Sequence, residues 1–269
     1  MKLKHMAVAY PSGNTTAVIF DQLLDLDRKK LNGDIMSSWI RQKISDSEIE
    51  QCCFVTKPKN LEAIARVEMM GGEFCGNAAR SVIALITKGL DYEGLIEVSG
   101  VDYPLQFVVK NGRVRLEMPL PKAQSLVEKV EEGFLVHLDG ITHLVVIGNH
   151  KISPREQFLA LKEKDQYHCT SYPAFGVSYF DPETKNADFC VWVKAVDTVF
   201  DETACGSGTS SIGIALAQSS QTSIVEKVRQ PSSEEIVTIA DYDLQLEKIS
   251  GSFIEGEVKI LFDGEFSIS

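Results

Sequence analysis

The sequence predicts an α+β protein built from two pseudo-symmetric domains. Three observations lead to this prediction: many short runs rich in β-branched and aromatic residues, two cysteine-glycine turns that each open an apolar helix, and a proline-rich break between the halves. The two turns, at Cys75 and Cys205, are separated by about half of the 269-residue chain. An internal duplication would place equivalent residues at such a distance.

The first half alternates predicted strands with two helical patterns. The predicted strands span residues 6–10, 16–20, 52–56, 65–69, 95–99, 105–110 and 113–118. An Asn-Gly pair at 111–112 indicates that the last two form a hairpin. Helices are predicted over about 36–48 and over 77–88. The second is apolar on most sides, which predicts a helix buried inside its domain.

A similar order of features begins again after Met118-Pro119-Leu120-Pro121. The predicted strands span residues 142–147, 175–180, 189–194, 223–228, 235–240 and 254–262. A second apolar helix, over 207–218, follows Cys205. Because the two prolines interrupt regular structure, we expect domains at 1–119 and 120–257, with residues 258–269 able to return to the first domain as a last strand.

Composition and charge exclude several classes of function. A net charge of −11, from 27 basic and 38 acidic residues, argues against a nucleic-acid or anionic-membrane partner. The N-terminus is too polar for a signal peptide and no apolar run could span a bilayer, so we expect a cytoplasmic protein. Six cysteines are ordinary for a reducing compartment, and the absence of C-x-x-C and H-x-x-x-H pairs argues against a zinc site.

Cys75 and Cys205 are the predicted catalytic residues. Each lies in a turn of small residues just before an apolar helix, in EFCGNAA and ETACGSG. Backbone N–H groups and the positive end of the helix dipole favour a thiolate at such a position, so either cysteine could act as a base near neutral pH. A lone cysteine before a helix is usually a packed core residue, but two in matched surroundings indicate function.

Main-chain N–H groups at the same two helix starts are predicted to hold a carboxylate. The predicted donors are Gly76 and Asn77 in the first half, and Gly206 and Ser207 in the second. A small amino acid held there would offer its α-carbon to a sulfur on each side, which is the geometry of a two-base racemase. This chemistry implies no pyridoxal phosphate and no other cofactor.

Asn14, Glu50 and His143 are further candidate substrate-binding residues. Asn14 lies in a Ser-Gly-Asn segment, which is also a common loop sequence. Glu50 directly precedes an apolar strand, where a carboxylate would point into a cleft, although a solvated helix end is the simpler alternative. A histidine in the context of His143, in THLVV, is more often a hydrogen-bonded core residue than a catalytic one.

At these residues the chain resembles the diaminopimelate epimerase superfamily of cofactor-independent enzymes. The resemblance covers the whole length. It rests on these motifs: SGN at 12–14, CGN at 75–77, the histidine of THLVV, ETACGSG at 202–208 and QPSS at 230–233. It implies two domains, each a mostly antiparallel sheet or barrel wrapped round a central helix, and a homodimer. Cys-Gly-Asn differs from the Cys-Gly-His of proline racemases, and both cysteine positions are filled, unlike those of phenazine-biosynthesis isomerases.

Two departures argue against diaminopimelate as the substrate. The Glu-Arg pair of diaminopimelate epimerases falls here at Val196 and Asp197, and an asparagine near the family histidine falls at Ile141. A distal carboxylate would lose its cation, which is costly in a buried site. The chain more closely resembles the histidine racemase branch, which shares PSGN, the Glu50-Gln51 pair, GxEFCGNA, CGSGTxSIG and the Gln-Pro turn. That resemblance implies interconversion of L- and D-histidine, supplying D-histidine for a metallophore.

Two alternatives stay open. One is a diaminopimelate epimerase with a rearranged distal site, or a racemase of another polar amino acid. The other is an amino-acid-binding relative that has lost its chemistry. Two oxidisable thiols would bring no benefit to a binding module, which counts against the second alternative.

Overall fold

The computed structural model describes residues 2–20, 28–43, 47–121 and 125–268. It divides into two compact units, one of Met1–Leu116 with Gly256–Ser269 and one of Glu117–Glu255. Both contain sheet and helix, which confirms the predicted α+β class. Within the described ranges, no helix is long and apolar enough to cross a membrane.

The first unit consists of sheet strands and two helices. Its strands are β1 (Lys2–Tyr10), β2 (Thr16–Ile19), β3 (Gln51–Thr56), β4 (Ala63–Met69), β5 (Tyr92–Val98), β6 (Leu105–Lys110), β7 (Arg113–Glu117) and, at the chain end, β17 (Lys259–Ser267). Their spatial order is β7-β6-β5-β4-β3-β2-β1-β17. The pairs β2–β3 and β4–β5 are parallel and the other pairs are antiparallel. The sequence-predicted hairpin is the β6–β7 pair.

The two helices of the first unit differ in how far they are buried. Helix α2 (Gly76–Thr87) is buried over its first nine residues, which confirms the predicted buried helix. Helix α1 (Arg28–Gln42) instead buries one stripe, formed by Leu31, Ile35 and Trp39, against β1, β2 and β3. The predicted helix over about 36–48 overlaps α1, which starts earlier, at Arg28, and ends at Gln42, just before the left-handed Lys43. Residues 44–46 of that prediction lie outside the described ranges.

The second unit contains two groups of strands and two helices. Its strands are β8 (Val127–Lys129), β9 (Phe134–Leu138), β10 (Ile141–Ile147), β11 (Ala174–Phe180), β12 (Ala187–Val193), β13 (Thr198–Asp201), β14 (Ile224–Arg229), β15 (Glu235–Asp243) and β16 (Lys248–Glu257). The spatial orders are β13-β12-β11-β10-β9-β8 and β14-β15-β16. Only β10 and β11 are parallel among these described pairs.

Helix α4 (Gly206–Ser220) is the buried helix of the second unit, as its apolar sequence predicted. It packs closely on β15, since a Cβ atom on Gly213 would lie 2.1 Å from Oγ1 of Thr238. Helix α3 (Pro154–Glu163) was not predicted, although Ser153 and Glu156 form a capping box with proline at the first turn, which is a recognisable start signal.

Several strand predictions need correction. The run predicted as one strand over 254–262 is divided between β16 and β17, which meet at Val258. Strands β8, β9 and β13 were not predicted. The first and last of these are only three and four residues long, so that their sequences show too little alternation to be recognised.

Candidate active site

Cys75 is the N-cap residue of α2. Its backbone is extended (φ −138°, ψ 108°), and its sulfur accepts a hydrogen bond from the N–H of Ala78 at 3.4 Å. Its carbonyl begins the helical ladder by accepting from Ala79 N–H at 3.1 Å. The thiol therefore replaces the serine or aspartate oxygen that usually caps a helix, and the N–H donor favours its charged form.

Cys205 has the same role at the start of α4. Its backbone is also extended (φ −123°, ψ 107°), and its sulfur accepts from the N–H of Gly208 at 3.3 Å. The Cys205 carbonyl accepts from Thr209 N–H at 2.9 Å. Gly206 and Ser207 occupy the first two positions of α4, as Gly76 and Asn77 do in α2, where backbone N–H groups have no acceptor within the helix.

A glutamine side chain faces the sulfur of Cys75. The Cys75 thiol lies 3.4 Å from Oε1 of Gln51, the first residue of β3. The amide nitrogen of Gln51 donates to Oγ1 of Thr16 at 2.8 Å, and that hydroxyl donates to the carbonyl of Asn14 at 2.7 Å. Gln51 was not among the predicted site residues, although it belongs to the Glu-Gln pair that carries the resemblance.

A buried histidine reaches Cys205 through a serine. The Cys205 sulfur lies 3.5 Å from Oγ of Ser207, and Nε2 of His143 lies 3.0 Å from the same oxygen. On its other side, Nδ1 of His143 lies 3.0 Å from Oγ of Ser178. His143 is fully buried, and burial lowers its pKa to about 3, so the imidazole is neutral at physiological pH.

Glycine makes room for this histidine. A Cβ atom at position 176 would lie 2.2 Å from Nδ1 of His143. Gly176 pairs with His143 in the parallel β10–β11 register, and Ser178 follows two residues later on the same face. The sheet register thus places the imidazole beside Ser178, and Ser207 at the start of α4 contacts its other nitrogen.

Gln230 holds the backbone of Cys205. Its side-chain oxygen accepts from Cys205 N–H at 3.1 Å, while its side-chain nitrogen donates to Oγ1 of Thr209 at 3.0 Å and to the carbonyl of Val228 at 3.1 Å. The side chain is 3 % exposed. This explains the Gln-Pro turn noted in the sequence, because the first residue of that turn fixes the start of α4.

Arg80 is a buried cation on α2 that sequence reasoning missed. Its guanidinium donates to the carbonyls of Pro11 at 3.4 Å and Glu257 at 3.1 Å, and to Oδ1 of Asn77 at 3.5 Å. It thereby ties the Pro-Ser-Gly-Asn turn to α2. The signal in the sequence was a single arginine inside an otherwise apolar helix, since such a charge is buried only when it is hydrogen-bonded.

The remaining predicted residues, Asn14 and Glu50, shape the turn between β1 and β2. Asn14 has a left-handed backbone (φ 50°). Glu50 is exposed, and its carboxylate accepts from Thr15 N–H at 3.0 Å while its own N–H donates to the Thr15 carbonyl at 2.9 Å. This contact braces the turn, and a role for Asn14 and Glu50 in substrate binding stays a prediction.

The two thiols from which the sequence predicted an amino-acid racemase or epimerase both cap buried helices. Two solved structures share the fold. A probable proline racemase from Agrobacterium radiobacter K84 has a TM-score of 0.64 at 13 % identity, covering 99 % of this chain and 93 % of that one. A predicted epimerase from Pseudomonas aeruginosa has a TM-score of 0.64 at 13 % identity, covering 99 % and 100 %.

The family is given by sequence. The family model described as the histidine racemase CntK N-terminal domain matches residues 3–266, so the chain belongs to the histidine racemase family. A histidine racemase of Fusobacterium nucleatum is 28 % identical over 275 aligned residues, which cover 96 % of this chain and 94 % of that protein. These matches confirm the racemase class and the branch that the sequence motifs predicted.

Proposed function

We propose that the protein interconverts L- and D-histidine by two-base chemistry, with Cys75 and Cys205 as the acid and base. The observation that carries the proposal is the matched pair of caps: each thiol replaces the usual capping oxygen and receives a helix N–H. Membership of the histidine racemase family supports histidine as the substrate.

In the proposed reaction one cysteine, as thiolate, removes the α-proton and becomes a thiol. The other cysteine, as thiol, gives its proton to the opposite face of the α-carbon and becomes a thiolate. The reverse direction uses the same two groups in exchanged roles. N–H groups of Gly76, Asn77, Gly206 and Ser207 are the proposed donors to the carboxylate, where they stabilise the negative charge that develops as the proton leaves.

The residue at position 197 counts against diaminopimelate as the substrate. The Asp197 carboxylate occupies the position where the diaminopimelate epimerases carry arginine, and it accepts from Lys162 Nζ at 2.6 Å and from Trp192 Nε1 at 2.8 Å. Lys162 and Trp192 lower the pKa of this carboxyl group, so it is negatively charged at neutral pH. An ion-paired aspartate with an exposed side chain thus stands where those enzymes place the cation that holds a distal carboxylate.

The test is proton exchange and inversion at the α-carbon. L-histidine and, separately, LL-diaminopimelate are incubated with the protein in D₂O under reducing conditions, and the Hα signal and the D-enantiomer are followed by NMR and chiral chromatography. We expect exchange and inversion of histidine. Exchange of diaminopimelate alone would show that histidine is not the substrate. Binding without any exchange would identify a non-catalytic relative.

Variants then test the two thiols. Cys75→Ser and Cys205→Ser should each lower the rate of D-histidine formation by about 10²-fold or more, because a hydroxyl is a far weaker acid than a thiol. Cys169→Ala is the matched control, since Cys169 is a buried core cysteine of the second unit. Retained inversion in either serine variant contradicts the two-base mechanism.

A homodimer and a cytoplasmic location complete the proposal. The homodimer follows from the resemblance to the superfamily, and light scattering of the purified protein tests it. The reducing compartment follows from six cysteines without disulfide or zinc spacing.

A further inference from the structure

We propose that the two thiols rest in opposite protonation states, Cys205 as thiolate and Cys75 as thiol, and that Ser178, His143 and Gln51 are the positioning residues that set this difference. The inference rests on the proposed function, because only a racemase needs one base and one acid at the same time. It is carried by the direction of two hydrogen-bond chains.

The first chain starts at a serine with a single partner. Ser178 is fully buried, and among the described residues the side-chain partner of its hydroxyl is Nδ1 of His143. If Nδ1 carried the imidazole hydrogen, the Ser178 hydroxyl hydrogen would be buried without an acceptor, which is unfavourable. The stable arrangement therefore has Ser178 donating to Nδ1, with the hydrogen of the neutral imidazole on Nε2.

That tautomer directs a hydrogen at the sulfur of Cys205. Nε2–H of His143 donates to Oγ of Ser207, so the Ser207 hydroxyl hydrogen is left to point at the Cys205 sulfur 3.5 Å away. The sulfur already accepts from Gly208 N–H at 3.3 Å. Two donors and a helix start around one sulfur stabilise the thiolate.

The second chain runs in the opposite sense. Thr16 Oγ1 donates to the Asn14 carbonyl, so this hydroxyl must accept from Gln51, which fixes the amide nitrogen on that side. The amide oxygen of Gln51 is consequently the atom 3.4 Å from the Cys75 sulfur. An oxygen acceptor at this distance is satisfied only by S–H, so it stabilises the thiol form of Cys75.

Three other titratable groups near the two sulfurs could affect which of the thiols is charged. His143 stays neutral, so it adds no charge beside Cys205. Near Cys75, burial raises the pKa of Cys53 well above its usual value, and electrostatic interaction with Cys75 and Cys52 raises it further, so Cys53 remains a thiol. The guanidinium of Arg80, on the same helix as Cys75, works against the proposed difference, but its charge is shared among the oxygens of Pro11, Glu257 and Asn77.

Kinetics alone cannot assign the two states, because the enantiomers have equal free energy and kcat/KM must be equal in both directions. The test is NMR of the whole protein labelled with ¹³Cβ-cysteine and ¹⁵N-histidine, titrated with pH. Cysteine Cβ shifts separate thiol from thiolate, and imidazole ¹⁵N shifts give the tautomer. We expect Cys205 to titrate at lower pH than Cys75, and His143 to carry its hydrogen on Nε2.

Variants test each chain with a matched control. Ser207→Ala should lower the acid dissociation constant of the Cys205 thiol by about tenfold or more, since it removes a hydrogen bond to a charged group. Ser178→Ala should let the imidazole hydrogen of His143 move from Nε2 to Nδ1. It should also lower the acid dissociation constant of the Cys205 thiol, as Ser207→Ala does. Ser210→Ala removes a similar buried hydroxyl of the same unit, 2.8 Å from Ser252 Oγ, and should change neither signal.

Gln51→Leu should make Cys75 a stronger acid, whereas Thr56→Val in the same strand should not. The proposal is overturned if Cys75 titrates below Cys205, if Nδ1 of His143 carries the hydrogen, or if Ser178→Ala and Ser210→Ala behave alike. Histidine exchange by the unmodified protein is measured separately. If that exchange is absent, the proposed function is wrong. The assignment of the thiol and the thiolate is then still decided by the NMR titration.

Discussion

Acid should destabilise the second unit through His143. Burial holds the pKa of this histidine at about 3 in the folded protein, against 6.5 for an ordinary histidine. Between those two values the unfolded chain binds a proton that the folded protein does not. The stability that comes from a neutral His143 is therefore fully present above pH 6.5 and is lost as the pH falls from 6.5 towards 3.

The size of the effect follows from the two pKa values. At pH 5.5 the pH is one unit below the pKa of the histidine in the unfolded chain, so most unfolded chains carry the extra proton. Compared with pH 7.5, this lowers the free energy of unfolding by about 1.4 kcal/mol. A lower pH would give a larger loss, but the isoelectric point is about 5.0 and a protein near zero net charge precipitates readily. The pair pH 7.5 and pH 5.5 is therefore the practical comparison.

The assay uses the two tryptophans of the chain, one in each unit. Trp39 lies in α1 and Trp192 lies in β12, and both are buried. In a Trp39→Phe background, urea unfolding followed by fluorescence reports the second unit. His143→Gln should lose about 1.4 kcal/mol less than its parent between the two pH values. Equal losses in the two proteins would refute the buried neutral histidine.

A control variant separates this effect from other titrations. His168→Gln changes a histidine of the same unit whose side chain is 84 % exposed, and it should leave the pH dependence as in the parent.

Three further substitutions test how the site and the helices are built. Gln230→Ala leaves the Cys205 N–H without its acceptor, so we expect a loss of about 2 kcal/mol in urea unfolding and a lower kcat, and unchanged values for both would contradict the contact. Gly176→Ala would place a Cβ atom 2.2 Å from Nδ1 of His143 and should destabilise the second unit by about 3 kcal/mol. Gly33→Ala, where a Cβ meets nothing within 4 Å, should instead stabilise the first unit by about 0.5–1 kcal/mol.

The buried helices were predictable from sequence because their signals are local. Small residues after a cysteine and a run of apolar residues predicted 77–88 and 207–218, and the structure places α2 at Gly76–Thr87 and α4 at Gly206–Ser220. Helix α1 gave a weaker signal. Its sequence contains few apolar residues beside Leu31, Ile35 and Trp39, and it includes Asn32 and Gly33, both poor helix formers.

His143 and Ser207 were predicted as candidate site residues, but the contacts around the two sulfurs could not be predicted, because they depend on strand register. His143 and Ser178 meet only because β10 and β11 pair in parallel with His143 opposite Gly176. Gln51 reaches Cys75 from a different strand, 24 residues earlier in the chain. Cysteine at a helix start is a local pattern, whereas the donor or acceptor beside it is a property of the folded sheet.

The two cysteine turns are held at equivalent backbone carbonyls and are surrounded by different side chains. The carbonyl two residues before Cys75, that of Glu73, accepts from Ser99 Oγ at 2.6 Å, just after β5. The carbonyl two residues before Cys205, that of Thr203, accepts from Ser232 N–H at 3.0 Å, in the turn after β14.

In both units the strand that follows the buried helix thus anchors the turn that precedes it. Because these contacts to backbone carbonyls fix each cap, the side chains that face the sulfurs can differ between the units without moving the thiols. A racemase benefits from that freedom, since its two bases must occupy equivalent positions yet hold unequal protonation at the start of each turnover. An acceptor at Cys75 and a chain of donors at Cys205 are the kind of difference that this arrangement permits.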